Sequence, residues 1–267
     1  NNSKNRVVSL KIVPMKIIIS PAKSLDFESK VPTEEFSNYQ FLKQSLVIDK
    51  VLKKQKPKNL MQLMDISENL ANLNWQRNQD RNLTEITENN ARQAVFAFSG
   101  EVYVGLDAYS LKPSQIDAMQ EKLRILSGLY GILKPLDLIQ PYRLEMGTKL
   151  PIGTNKNLYE YWKTTLTKAL NSELEKDELL INLASTEYFS VLDAKKLMVP
   201  VIIPEFKDYK DGKLKMISFF AKKARGLMVR YILDTNASTI EDLKMFDYEG
   251  YAFDANLSTS TKLVFTR

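Results

Sequence analysis

The chain has 267 residues, 44% apolar and 26% charged, a balance that suits one globular unit with a full core. It carries no cysteine and no histidine, which excludes disulfides, thiol redox chemistry, Cys or His zinc sites and any Ser-His-Asp triad. A net charge of +6 leans mildly toward anionic partners, and acid–base chemistry must fall to Asp, Glu, Lys or Tyr.

Residues 1–14 are polar, basic and aperiodic, without the apolar core of a secretory signal, and are expected to be an upstream extension or cloning remnant. No apolar run approaches the roughly 20 residues that cross a bilayer, so a cytoplasmic protein without membrane contact is expected. The fold is expected to start at Met15 and to run as a single domain over 15–267. Lys16–Ser20, with three consecutive isoleucines, reads as a buried strand. It delivers Lys23 and Asp26, three residues apart. These fit either a ligand-side loop beyond a strand end or a structural turn closed by a local ion pair. From Phe36 to Asn74 the pattern is helical, broken at Pro57. The lysines around that break read as a solvated helix end.

Ala94–Phe98 is expected to be a strand, and Glu101–Ala108 is open between strand and turn. A helix is expected from about Pro113, through Leu123 and Leu126, to Gly128. The turn Gly128-Leu129-Tyr130-Gly131 follows, and Lys134-Pro135 then opens a second short helix that Pro141 ends. Helix, glycine turn, helix can present main-chain N–H groups to a phosphate. The same pattern also occurs in any helical layer, where glycine relieves strain at a C-cap.

Asn157–Leu174 reads as an amphipathic helix and Leu179–Leu183 as a buried strand, with Ser185 or Thr186 able to cap a short helix after it. Val201–Phe206 and Lys213–Phe220 flank Asp211-Gly212, a hairpin signal. Tyr251–Asp254 and Leu263–Thr266 close the chain as strands. The expected fold class is α+β, a single domain with a mixed β-sheet flanked by helices.

In Ala221–Leu233 the apolar Ala224, Leu227, Met228, Tyr231 and Ile232 gather on one side of a helix. Lys222, Lys223, Arg225 and Arg230 spread over the opposite arc, around Gly226. Glycine in a helix interior costs up to about 1 kcal/mol relative to alanine. Its presence suggests close approach of an anion, or of another element packed there.

The segments ISPAKSLD (19–26), LSGLYGILKPLDLIQPYRLEMG (126–147), INLAS (181–185) and FFAKKARGLM (219–228) together resemble the bacterial peroxide stress resistance protein YaaA family. The resemblance runs from Met15 to near the C-terminus. It implies a cytosolic protein that helps bacteria survive hydrogen peroxide, a link to limiting free iron, and binding of double-stranded DNA by a helix-hairpin-helix element. That element would fall on Leu126–Ile139. Its usual two glycines are one residue apart, whereas Gly128 and Gly131 have two residues between them.

The leading expectation is therefore a monomeric binder of duplex or distorted DNA, with little sequence preference and no cofactor or metal. Gly128, Tyr130, Gly131 and Lys134 would meet phosphates at the hairpin. Arg143, Lys222, Lys223, Arg225, Gly226 and Arg230 would line a basic cleft. The alternative is an enzyme with Lys23 and Asp26 as catalytic residues, near Tyr130, Arg143 and Glu145. It would act on DNA lesions as a lysine-dependent lyase, or on a small anionic substrate.

Overall fold

The computed structural model describes residues 14–267, so the expected upstream segment lies outside the described residues apart from Pro14. Strand β1, Met15–Ile19, is fully buried at Ile17, Ile18 and Ile19, as a strand covered on both faces must be. A loop leads to the two-residue β2, Ser24–Leu25. Three helices follow: α1 Leu42–Lys53, α2 Pro57–Met64 and α3 Glu68–Asp80. Pro57 stands at the first position of α2, where a missing N–H does no harm. The turn into α3 is short because Asp65 takes a left-handed φ of 50° and the Ser67 side chain caps the new helix.

Next come β3 Arg92–Gln93, α4 Ala94–Ala97, β4 Phe98–Ser99, α5 Glu101–Leu106 and α6 Pro113–Lys122. The chain then forms β5 Leu123–Ser127, β6 Gly131–Leu133 and β7 Leu138–Ile139. Helix α7, Leu158–Glu173, is capped by Asn157. Strand β8 is Leu179–Leu183, and Ser185 caps the short α8, Thr186–Phe189. Strands β9 Val201–Lys210 and β10 Lys213–Lys215 form the expected hairpin. Asp211 and Gly212 both have positive φ, 54° and 72°, in its two-residue turn. Helix α9, Ser218–Thr235, α10 Ile240–Lys244, β11 Ala252–Phe253 and β12 Lys262–Thr266 complete the chain. Among the described residues no helix is long and apolar enough to cross a membrane.

The large sheet runs β11-β12-β9-β8-β1-β5-β6, with β10 added to β9. Its centre, β5, β1, β8, β9 and β12, is parallel, while β6, β10 and β11 pair antiparallel. The architecture is thus the expected α+β domain with a mixed sheet. Taken in chain order, the parallel strands lie 2-1-3-4-5. The order reverses between β1 and β8, and ligands of open sheets sit beyond the carboxyl ends of strands at such a reversal.

Three local expectations are corrected. Leu123–Ser127 is a strand and not the end of a helix, because its apolar residues are covered on both faces and its backbone pairs with β1 and β6. Lys134-Pro135 opens no helix either. The carboxylate of Asp137 accepts from the Lys134 N–H at 2.8 Å, and the Pro135 carbonyl accepts from Val95. Leu126–Ile139 is therefore a β-hairpin and turn, and holds no helix-hairpin-helix. Ala94–Phe98 is mostly the helical turn α4. A run of five apolar residues buried all round carries no period that tells helix from strand. The open segment from Glu101 is helix α5.

The close crossing of α5 and α9 decides between the two readings of Gly226. A Cβ built on Gly226 would lie 1.8 Å from the Val102 carbonyl oxygen, and one on Gly105 would lie 2.1 Å from that of Lys223. Two facing glycines let the helix backbones touch, so Gly226 serves packing and no anion reaches it. Gly226→Ala gains up to about 1 kcal/mol of helix propensity. It also forces two backbones apart, an overpacking of about 1–3 kcal/mol or more. The expected result is net destabilisation, with a lower urea midpoint for Gly226→Ala and Gly105→Ala alike; an unchanged or raised midpoint would refute this account.

Candidate functional site

The chain leaves β1 at Ser20 and β8 at Ala184, side by side. The Ser185 N–H donates to Ser20 Oγ at 2.9 Å, and Ser20 Oγ donates to Ser185 Oγ at 3.3 Å. The Tyr103 hydroxyl donates to the Ser20 carbonyl at 3.0 Å. These contacts floor a crevice at the strand-order reversal. The β2–β4 pair, with Ser24 opposite Ser99, brings Gly100 and the start of α5 to its edge.

Lys23 stands on the loop after β1, with Nζ 2.6 Å from Glu145 Oε1, and Arg143 Nη2 lies 3.8 Å from the same oxygen. Glu145 comes from the strap 142–147, anchored where Ser127 Oγ and the buried Tyr142 hydroxyl lie 2.7 Å apart. At the end of that strap the Gly147 N–H donates to Glu187 Oε1 at 3.0 Å. From the far side α9 contributes Lys222 and Arg225. These groups enclose a cavity of about 320 Å³. A more open cavity of about 580 Å³ adjoins it across Glu145 and Glu187, between α2 and Lys149. A third, of about 340 Å³, adjoins it across Arg225. The three together make a groove over the carboxyl edge of the sheet.

The electrostatics are mixed. Among the described residues neither Lys222 nor Arg225 forms an ion pair. Burial lowers the pKa of Arg225, opposed by the field of Glu205, a carboxylate that pairs with Lys262 at 3.0 Å. Burial raises the phenols of Tyr103 and Tyr188 well above their ordinary value, so both stay neutral. On the opposite wall, Glu145 Oε1 and Arg143 Nε are buried and make no hydrogen bond within the protein. Lys23 approaches Glu145 Oε1 closely, but not in hydrogen-bond alignment.

The sequence matches the family model described as peroxide stress protein YaaA over residues 15–257. The chain belongs to that family. Its relatives include a UPF0246 protein of Flavobacterium johnsoniae, 67% identical over 253 residues that cover 95% of this chain and 100% of the relative. A UPF0246 protein of Flavobacterium psychrophilum is 63% identical over 253 residues, with the same coverage. One of Hahella chejuensis is 52% identical over 255 residues, covering 95% of this chain and 99% of its own length. The family carries the name of the peroxide stress response, in agreement with the resemblance read from the motifs.

In this YaaA-family chain the structure brings some of the expected residues together and separates others. Lys23, Lys222 and Arg225 meet at the crevice, and Arg143 stands behind Glu145. Asp26 does not line it. Its carboxylate accepts from the N–H groups of Glu28 and Ser29, and the hydrogen bonds from Ser29 hold it well below the usual carboxylate range. That is the structural-turn reading, with Lys23 paired elsewhere. The phosphate contacts expected at Gly128, Tyr130 and Gly131 have no surface to use. The Gly128 carbonyl accepts from the Trp162 indole at 2.9 Å, Tyr130 is fully buried, and Gly131 packs on Trp162 and Leu166. Lys134 is exposed but lies outside the crevice lining.

Lys223 is tied to Glu249 at 2.7 Å. Arg230 is tied to Asp234 at 2.9 Å and to Ser110 at 2.7 Å. The basic cleft is thus smaller than the helix pattern suggested. Sequence reasoning missed Tyr103, Glu187 and Tyr188. The only signal for them was their position just after a strand end or in a helix that packs there.

The Lys223–Glu249 pair gives a pH test. The hydrogen bond from Lys223 is foremost in holding Glu249 below its ordinary value of 4.5. Its contribution to stability is therefore present above that value and is lost as pH falls through the lower folded value. Glu249→Gln is expected to cost no more than about 1 kcal/mol at pH 7, because the pair is partly solvated. The difference from wild type in urea unfolding should shrink as the pH falls below 4.5; a difference independent of pH would contradict the pairing.

Proposed function

We propose that this protein acts in the peroxide stress response by binding DNA along the groove over the carboxyl edge of its sheet. The observation that carries the reading is the pair Lys222 and Arg225, which line the crevice and form no ion pair among the described residues, while Lys223 and Arg230 are paired. Lys149 adds a cation to the adjoining cavity, which Asp65, Glu145 and Glu187 also line. Helix α2 and the left-handed Asp65 that ends it border that cavity. Contacts of this kind address the backbone, so little sequence preference is expected. A protein coating DNA in this way would shield it from oxidative damage in the cytoplasm.

Neutralising about three phosphates predicts a slope near −3 for log affinity against log salt. Fluorescence anisotropy on a duplex across a salt series should show this slope. In Lys222→Ala/Arg225→Ala it should flatten to about −1, while Lys223→Ala should match wild type. Binding indifferent to salt, or a Lys223→Ala loss equal to that of the double variant, would sink the reading.

A second reading, catalysis at the crevice, draws on its place at the strand-order reversal and on Lys23. As a lesion lyase, the enzyme would need Lys23 to leave Glu145 and attack as a free amine. Borohydride should then trap an adduct on abasic DNA, absent in Lys23→Ala. With no adduct at any lysine, this reading fails.

A further inference from the structure

The cavity at the strand-order reversal lies at the lower end of the roughly 300–1,000 Å³ range of small-ligand pockets. No duplex segment enters such a space, so the DNA reading of the wider groove leaves its occupant open. Its walls differ in chemistry. The α9 wall offers Arg225, a guanidinium able to grip two oxygens of one phosphate, beside the ammonium of Lys222. The other walls offer acceptors: Glu145, whose Oε1 lies 2.6 Å from Lys23 Nζ without hydrogen-bond alignment, with Glu187 and Glu101. A bare phosphate would satisfy the first wall and face like charge on the others. An uncharged sugar or base would leave the cations unmatched. The Glu145 Oε1 oxygen has a close cation but no aligned hydrogen bond within the protein, and a carboxylate oxygen keeps lone pairs to accept from a ligand donor.

We infer that this crevice is a one-nucleotide site, with a 5′-phosphate held by Arg225 and Lys222 and a hydroxyl or exocyclic amino group donating to Glu145. The hydroxyls of Ser20 and Ser185 floor it. The carboxyl ends of parallel strands at an order reversal are where such sheets hold nucleotides in general. The nucleotide comes from one of two sources: free in solution, or swung out of a strand lying in the groove. The second source rests on the DNA reading above.

Two titrations of the full chain test this. Calorimetry with deoxynucleoside 5′-monophosphates is compared with inorganic phosphate and with the nucleosides. Fluorescence of a duplex carrying 2-aminopurine opposite an abasic position reports a base leaving the stack. The monophosphates should bind at least tenfold more tightly than phosphate or nucleoside. Arg225→Gln should weaken the monophosphates tenfold or more, and Glu145→Gln should weaken them without weakening inorganic phosphate. Circular dichroism confirms that both variants are folded. A fluorescence rise without binding of free nucleotides supports the site and assigns its source to the strand. Phosphate binding as tightly as the nucleotides, or no response in either titration, overturns the inference. Duplex binding by anisotropy is read separately. It survives if only the one-nucleotide site is wrong, and it is absent with nucleotide binding intact if only the DNA reading is wrong.

Discussion

Strand β1 is held in register on both edges, by β5 and by β8, and the chain reaches these neighbours by leaving in opposite directions. A crevice must open beyond the carboxyl ends where the two directions part. All that gathers there depends on this pairing. The serine pair 20 and 185 ties the two exits together, the β2–β4 bridge draws Gly100 toward them, and the strap 142–147 crosses in front. Four buried residues in β1, Met15, Ile17, Ile18 and Ile19, make the register costly to slip, since any shift would carry isoleucines out of the core.

The second constraint is the contact of α5 with α9. Gly105 and Gly226 remove the side chains that would hold these helices apart, and the helix axis is fixed by main chain meeting main chain. Once α9 is fixed, its cations are sorted by rotation around the axis. Lys222 and Arg225 turn to the crevice. Lys223 turns to Glu249, and Arg230 turns to Asp107, Ser110 and Asp234. One basic helix thus divides its charges between the crevice and cohesion.

The crevice is also not a plain anion hole. Lys23 and Glu145 sit in ion contact at its mouth, Arg143 backs the carboxylate, and Glu187 is drawn in by a main-chain N–H. Where both signs of charge face one small space, a ligand must carry a negative end and a donating end to gain from it. The wider groove toward α2 and Lys149 asks less of its ligand, because it is open to solvent and screened. The two regions share walls and suit ligands of different size.

Much of the fold was legible in the residues. The isoleucine run of β1, the Asp-Gly hairpin, the Asn157 and Ser185 caps and the amphipathic α7 each carry a local signal that the tertiary structure reinforces. The four motifs and their order were enough for the family. What failed was local pattern without a partner in view. Leu123–Ser127 has spacing compatible with a helix, and only pairing with β1 makes it a strand. Gly226 reads the same whether a phosphate or a carbonyl approaches, and only Gly105, 121 positions earlier, decides it. The basic residues of α9 are alike in sequence, and only their neighbours say which are neutralised. The sequence by itself determined the family, the α+β class and most of the elements, because these rest on short-range periodicity and residue identity. The tertiary structure alone decided where the motifs meet and which charges remain free, because those depend on contacts between residues far apart in the chain.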